Sequence, residues 1–195
     1  MKLCVLAFPL ASLLLAGCNK SQTVTASARE WLRQSDGERL TFRADGMGAI
    51  ETLVVTQKNS ESTSSRGRGF GTITHHNITL TFQSQTDADA GLVTGFSSAN
   101  VLFSPLRPGS PDGVGLSTDT EQLYNNSGSI NRATHSLTKD TLINGRTHSR
   151  VVRGTFSAQA VVSVLPNTLQ TFWYAKDAGL VAYRKVTGPI YYRVF

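Results

Sequence analysis

From residue 39 onward, apolar positions alternate with polar ones instead of recurring every third or fourth place. Leu40, Phe42 and Ala44 alternate with Arg39, Thr41 and Arg43, and Ile78, Leu80 and Phe82 alternate with Thr79, Thr81 and Gln83. Successive side chains of an extended strand point to opposite faces, so this pattern predicts half-buried strands. Further strands are expected over 50–57, 69–74, 92–104, 132–138, 147–157, 160–165, 169–174, 180–186 and 189–194. Many short strands without intervening helices predict an all-β chain, folded as an antiparallel β-sandwich or a partly open β-barrel. One short helix is expected over 26–34, carrying Trp31 and Leu32.

The punctuation between strands supports that reading. Asn144-Gly145 predicts a two-residue hairpin turn, because both central residues of a type I′ turn need positive φ and this pair tolerates it. Residues 59–68 are polar and rich in Ser, Arg and Gly, and residues 105–119 contain Pro105, Pro108 and Pro111. Both stretches read as long loops. No internal repeat is evident.

The N-terminus follows a different rule. Lys2 precedes an apolar run from Leu3 to Leu15, and Leu15-Ala16-Gly17-Cys18 closes it. The run is too short to span a bilayer, which needs about 20 apolar residues as a helix. It has the n-region, h-region and small-residue cleavage zone of a secretory signal, and its last four residues resemble a bacterial lipobox. The resemblance implies cleavage between Gly17 and Cys18, with residues 1–17 removed and a diacylglycerol and an N-acyl chain, palmitate among the candidates, carried on Cys18. Removal would also discard Cys4, leaving one acylated cysteine and no intramolecular disulfide. Residues 18–28, small and polar, read as a flexible lipidated tether, and 29–195 as a single β-rich domain. Asn19, in place of Asp, resembles the sorting residue of outer-membrane lipoproteins, which implies a periplasm-facing outer-membrane anchor.

Charge adds an asymmetry. Residues 18–129 hold 9 basic and 11 acidic side chains, whereas residues 130–195 hold 9 and 2. Arg146, Arg150, Arg153, Arg184, Lys185 and Arg193 are candidates for one basic face suited to anionic lipid or glycan.

Several motifs come close to known chemistry and fall short. Arg68-Gly69-Phe70-Gly71-Thr72-Ile73-Thr74-His75 partly matches an RNA-recognition signature, but Thr72 and His75 replace two of the stacking aromatics, and an exported protein meets no RNA. Gly95-Phe96-Ser97-Ser98-Ala99 has part of a nucleophile-elbow pattern without the helix that elbow requires, and His135 or His148 would be an arbitrary base for Ser97. His75 and His76 are adjacent on an expected strand and so point apart, which disfavours a shared metal ion. Asp87 and Asp89 read as a solvated acidic turn. These readings predict no catalytic residues, no metal, no further cofactor and no nucleic-acid partner, with a hydrolase as the enzymatic alternative.

The segment Thr171-Phe172-Trp173-Tyr174-Ala175-Lys176-Asp177-Ala178-Gly179-Leu180-Val181-Ala182-Tyr183 reads as an aromatic hairpin. Phe172 and Tyr174 should share one face and Trp173 the other, with Gly179 supplying positive φ in the turn. It resembles the C-terminal hairpin of uncharacterised β-rich outer-membrane lipoproteins of Bacteroidota, which end in a Tyr-Ala-Lys-Gly-x-Gly-Leu-Val run. Here Asp177 replaces the first glycine. Asn144-Gly145-Arg146 followed by Val151-Val152 resembles that family's preceding hairpin. The resemblance implies fold and location and carries no catalytic residues. The expectation is therefore a non-catalytic envelope lipoprotein. It would bind an apolar or anionic ligand near the outer membrane, with Trp173, Tyr174 and Arg150 as candidate binding residues. The alternative is a structural or assembly lipoprotein docking an envelope protein or polymer; a lipid, a glycan and an envelope protein are the partners considered beside the membrane.

Overall fold

The computed structural model describes residues 19–65, 71–87, 91–106, 113–125, 133–156 and 168–195. Among them are one short helix, α1 (Ala26–Arg29), and thirteen strands. The first six strands are β1 (Lys20–Gln22), β2 (Arg39–Ala44), β3 (Ile50–Ser65), β4 (Thr72–Ser84), β5 (Gly91–Phe96) and β6 (Asn100–Pro105). β7 (Val114–Ser117), β8 (Gln122–Asn125), β9 (Thr134–Ile143), β10 (Arg146–Thr155), β11 (Leu169–Ala175), β12 (Gly179–Lys185) and β13 (Ile190–Arg193) follow.

Twelve strands form one antiparallel sheet in the order β8-β7-β6-β5-β4-β3-β2-β13-β12-β11-β10-β9, and β1 pairs in parallel with β4. Each strand from β2 to β7 therefore neighbours its successor, as does each from β9 to β12. β13 closes back on β2, with Tyr192 opposite Arg43. The two ends, β8 and β9, approach each other, so the sheet is a nearly closed up-and-down barrel.

Period-two patterning explains which side is filled. Leu40, Phe42, Leu53, Val55, Leu80 and Phe82 point inward and are buried, while Arg39, Thr41, Arg43 and Thr81 take the outward positions. A barrel wider than eight strands has more lumen than its wall side chains readily fill. Here large aromatics meet across it: Phe103 of β6 lies 5.0 Å from Phe172 and 5.1 Å from Tyr174 of β11, centroid to centroid. The N-terminal segment adds Val24, Ala28 and the fully buried Trp31 to the same core.

The expected hairpins are present. Asn144 and Gly145 have φ of 48° and 79° between β9 and β10, and Gly179 has φ of 74° at the start of β12. Phe172 and Tyr174 enter the main core while Trp173 packs on a second, outer cluster with Val151, Val181, Ala182 and Tyr192. Other expectations give way to the structure. Residues 59–65, read as the start of a loop, continue β3, because each is paired with β4 in register from Asn59↔Ile78 to Ser65↔Thr72. Pairing to a partner strand satisfies the backbone of a polar segment as well as that of an apolar one. The expected 92–104 strand is a hairpin turning at Ser97–Ala99, and β7 and β8 occupy a region read as loop or left unassigned. The helix ends at Arg29 instead of extending to residue 34. The strand expected over 160–165 lies outside the described residues.

Residues 19–28, read from composition as a flexible coil, are ordered against the barrel. The Asn19 side-chain oxygen accepts hydrogen bonds from the Thr72 backbone N–H at 3.2 Å and its hydroxyl at 3.0 Å. β1 then lies along Ile73–His75. Thr25 caps α1 and its N–H donates to the Ser98 carbonyl at 2.9 Å, which brings the segment across the end of the barrel.

Candidate functional site: a cleft at the barrel mouth

β3 and β4 are longer than their neighbours. Pairing of β2 to β3 stops at Val54, and pairing of β5 to β4 stops at Ile78. Beyond those points the two strands pair with each other and project past the barrel, with β1 against the outer part of β4. Inward parity continues along the projection: Val55 is followed by Gln57, Asn59 and Glu61, and Leu80 is preceded by Ile78 and His76. Inside the barrel this face buries core; above the mouth it turns polar and looks across to the N-terminal segment.

Between them is a cleft of about 690 Å³, lined among others by Val24, Arg29, Asn59, Glu61, His76 and Ile78. That volume falls in the range of small-ligand sites, and barrel mouths are a recurrent place for them. The Arg29 Nε donates to the Val24 carbonyl at 3.1 Å, which fixes the guanidinium stem. Glu61 is directly opposite His76 in the β3–β4 register. Its Oε1 lies 3.0 Å from His76 Nδ1. On the other side of the ring, His76 Nε2 is 3.0 Å from the hydroxyl of Ser21 on β1.

The residues singled out from the sequence are placed elsewhere. Gly17 and Cys18 lie outside the described residues, although Asn19 is held at the outer end of β4. Tyr174 is a fully buried core residue whose hydroxyl donates to the Trp31 carbonyl at 2.8 Å. Burial drives its ionisation far above the ordinary tyrosine range. Trp173 faces outward beneath the Arg153 guanidinium, 5.3 Å from its ring centroid. Arg150 has a positive φ of 49° and forms an ion pair with Glu121. The three are not brought into one site, and neither the mouth cleft nor a smaller cavity of about 240 Å³ beside His135 and Arg153 is lined by Trp173 or Tyr174.

Nor do the six C-terminal cations form a single face. Lys185 is turned inward onto Glu51 at 2.8 Å, and Arg193 onto Glu38 at 3.1 Å. Arg146 and Arg193 both lie over the Phe195 ring, at 4.1 and 4.9 Å. Arg153 and Arg184 remain on the outside. Charge counted along a sequence does not tell which cations have carboxylate partners across the barrel.

Ser97, His135 and His148 are on the β5–β6 turn, β9 and β10, and each has its own surroundings. The Ser97 hydroxyl donates to the Asn100 carbonyl at 3.5 Å, and buried His148 lies 3.4 Å from Asp177. His75 and His76 point apart as expected, His75 to Ser64 at 3.1 Å and His76 to Ser21 and Glu61. Among the described residues no cluster of three or more His, Cys, Asp and Glu could hold a metal ion. Asp89 lies outside them.

Ser21, Arg29 and Glu61 were not foreseen. Ser21 and His76 are 55 positions apart and meet only because β1 adds in parallel to β4, a pairing that the short polar run Lys20–Gln22 does not announce.

Comparison with protein-family models, with curated proteins and with solved structures finds no match.

Proposed function

We propose that the chain is a lipid-anchored protein of the bacterial cell envelope, held through Cys18 at the periplasmic side of the outer membrane. In this reading it binds a small polar ligand carrying an anionic group in the cleft at the barrel mouth. The observation that carries the reading is that the anchor and the cleft share one stretch of chain. Asn19 and β1 are fixed on β4, and Val24 and Arg29, a few residues further on, form the cleft wall. A ligand seated there would be close to the acylated residue. Arg29 uses Nε on the Val24 carbonyl, which leaves its terminal NH2 groups for a carboxylate or phosphate. Two or more acyl chains give stable anchoring where one is marginal.

Two measurements test it. Incorporation of an alkynyl palmitate analogue is expected in the wild-type protein and absent in Cys18→Ser; persistent labelling would overturn the anchor. Native mass spectrometry of the detergent-solubilised mature protein is expected to show a bound small molecule that is lost in Arg29→Ala. A ligand-free wild type would overturn the cleft assignment.

One observation favours a second reading, docking of an envelope protein or polymer on the outer wall. Arg43, Tyr192, Ala182, Trp173 and Arg153 are consecutive cross-strand neighbours on β2, β13, β12, β11 and β10. They make one lateral row in which Tyr192 and Trp173 flank the buried Ala182 and two arginines end it. Partner binding lost in Trp173→Ala, with the cleft empty, would select this reading over the first.

A further inference from the structure

We propose that Ser21, His76 and Glu61 form a nucleophilic relay at the mouth cleft, and that the protein hydrolyses small esters whose acyl portion carries a carboxylate. This rests on the cleft being the ligand site and goes beyond it. A serine becomes a nucleophile when a base accepts its proton, and the base works when a third group fixes its tautomer and orientation. The geometry here supplies both links. Glu61 at 3.0 Å from Nδ1 holds the hydrogen on that nitrogen, and Nε2, then unprotonated, accepts from the Ser21 hydroxyl at 3.0 Å. Such a constellation is recognised by geometry and roles, since it recurs on unrelated folds in different chain orders.

The three groups are fixed by backbone pairing rather than by a loop. Glu61 and His76 are register partners, and Ser21 is held by β1 opposite Thr74, two residues from His76. His76 and Glu61 line the cleft, and Ser21, which is not itself a lining residue, borders it through its 3.0 Å contact with His76 Nε2. Asn59, on the same wall, accepts from Gln57 through Oδ1 at 3.3 Å, which leaves its NH2 as a candidate donor to an oxyanion. Arg29 supplies the cation for a carboxylate on the acyl side.

The chemistry balances without a cofactor. Ser21 Oγ attacks the ester carbonyl carbon as His76 Nε2 takes the hydroxyl proton, and the carbonyl electron pair moves onto oxygen. Collapse expels the alcohol, protonated from Nε2, and leaves an acyl-Ser21. Water then adds to this ester, giving one proton to Nε2. The released Ser21 oxygen recovers it, and the acid departs.

The test uses the full mature protein in detergent with p-nitrophenyl hemisuccinate, and p-nitrophenyl acetate as the substrate without a carboxylate. Expected are turnover of the hemisuccinate and capture of a fluorophosphonate on the peptide containing Ser21. Ser21→Ala should abolish both, and His76→Asn should lower the rate by at least about 100-fold, as loss of a positioned base does. Glu61→Gln should cost less. Arg29→Ala should raise KM for the hemisuccinate and so reduce the preference for it over the acetate. All four positions are at least partly exposed, and circular dichroism would confirm that the variants fold. Absence of turnover and labelling in the wild type, or labelling that survives Ser21→Ala, would overturn the relay. Hemisuccinate that binds without turning over would overturn the relay alone and leave the cleft reading standing.

Discussion

The hydroxyl of Tyr174 on β11 reaches the main-chain carbonyl of Trp31 at 2.8 Å, with Gln34 Oε1 at 3.3 Å beside it. Both partners belong to the N-terminal segment that crosses the barrel mouth, and Gln34 also donates to the Ala178 carbonyl at 2.7 Å. One buried phenol thus fastens the segment that lines the cleft to the strand that fills the core.

Tyr174→Phe keeps the ring contacts with Phe82 and Phe103 and removes this bond. The Trp31 carbonyl is then left to find another donor in a buried place, which costs about 1–3 kcal/mol. The expected result is a lower urea midpoint with an unchanged m-value. Hydrogen exchange should speed up mainly in residues 24–34. A uniform change across the strands would show that the bond does not fasten this segment.

Gly179 combines two constraints. Its φ of 74° is one that side chains other than glycine adopt at a cost, and a Cβ there would run into the Gln34 carboxamide. Gly179→Ala should therefore destabilise by more than the roughly 1–2 kcal/mol of the left-handed conformation alone. Pairing it with Gln34→Ala should recover part of the loss. The double-mutant cycle, read by thermal melting, should give a coupling well above the few tenths of a kcal/mol found for independent sites.

Gly179 also shows what was legible in the chain. Its role, the Asn144-Gly145 turn and the opposite facing of Trp173 and Tyr174 follow from local rules, and local rules are what a sequence displays. Alternation marked most strands with one apolar face, but not β7, where core residues Val114 and Leu116 lie in a Pro- and Gly-rich stretch that reads as loop. It also failed at residues 59–65, where both faces are polar and pairing with β4 alone makes the strand. The cleft was hidden for the same reason: it uses the polar continuation of a core-facing register, joined to a segment whose composition reads as tether. Trp173, Tyr174 and Arg150 stood out by residue type, but Trp173 and Tyr174 face opposite ways and Arg150 is paired with Glu121, so their surroundings differ.

Glu51 and Lys185 form an ion pair of 2.8 Å near the end of the barrel away from the cleft, with side-chain exposures of 6% and 11%. Breaking a pair this buried leaves one uncompensated charge, at a cost of about 3–5 kcal/mol, whereas replacing both by apolar groups of similar volume is often neutral or better. Lys185→Met should thus unfold at markedly lower denaturant than the wild type, and Glu51→Leu combined with Lys185→Met should return close to it. Additive losses in the double variant would contradict the pairing.

Two buried phenols set the alkaline limit of stability. Burial raises the ionisation of both Tyr174 and Tyr183, and for Tyr183 the nearby Glu51 carboxylate adds to the effect. Tyr183 is held between Phe42, edge-on at 5.0 Å, and Tyr191, stacked at 5.0 Å. In the unfolded chain each phenol ionises near pH 10. A folded-state pKa raised above that value means that the unfolded chain loses protons first. The stabilisation is complete below about pH 10 and is lost progressively as pH rises beyond it. Melting temperature should therefore be insensitive to these groups at neutral pH and fall steeply above about pH 10. Tyr183→Phe removes one such group while keeping the ring, so its alkaline decline should be shallower than the wild type's. Equal slopes in the two proteins would mean that Tyr183 is not held neutral by the fold.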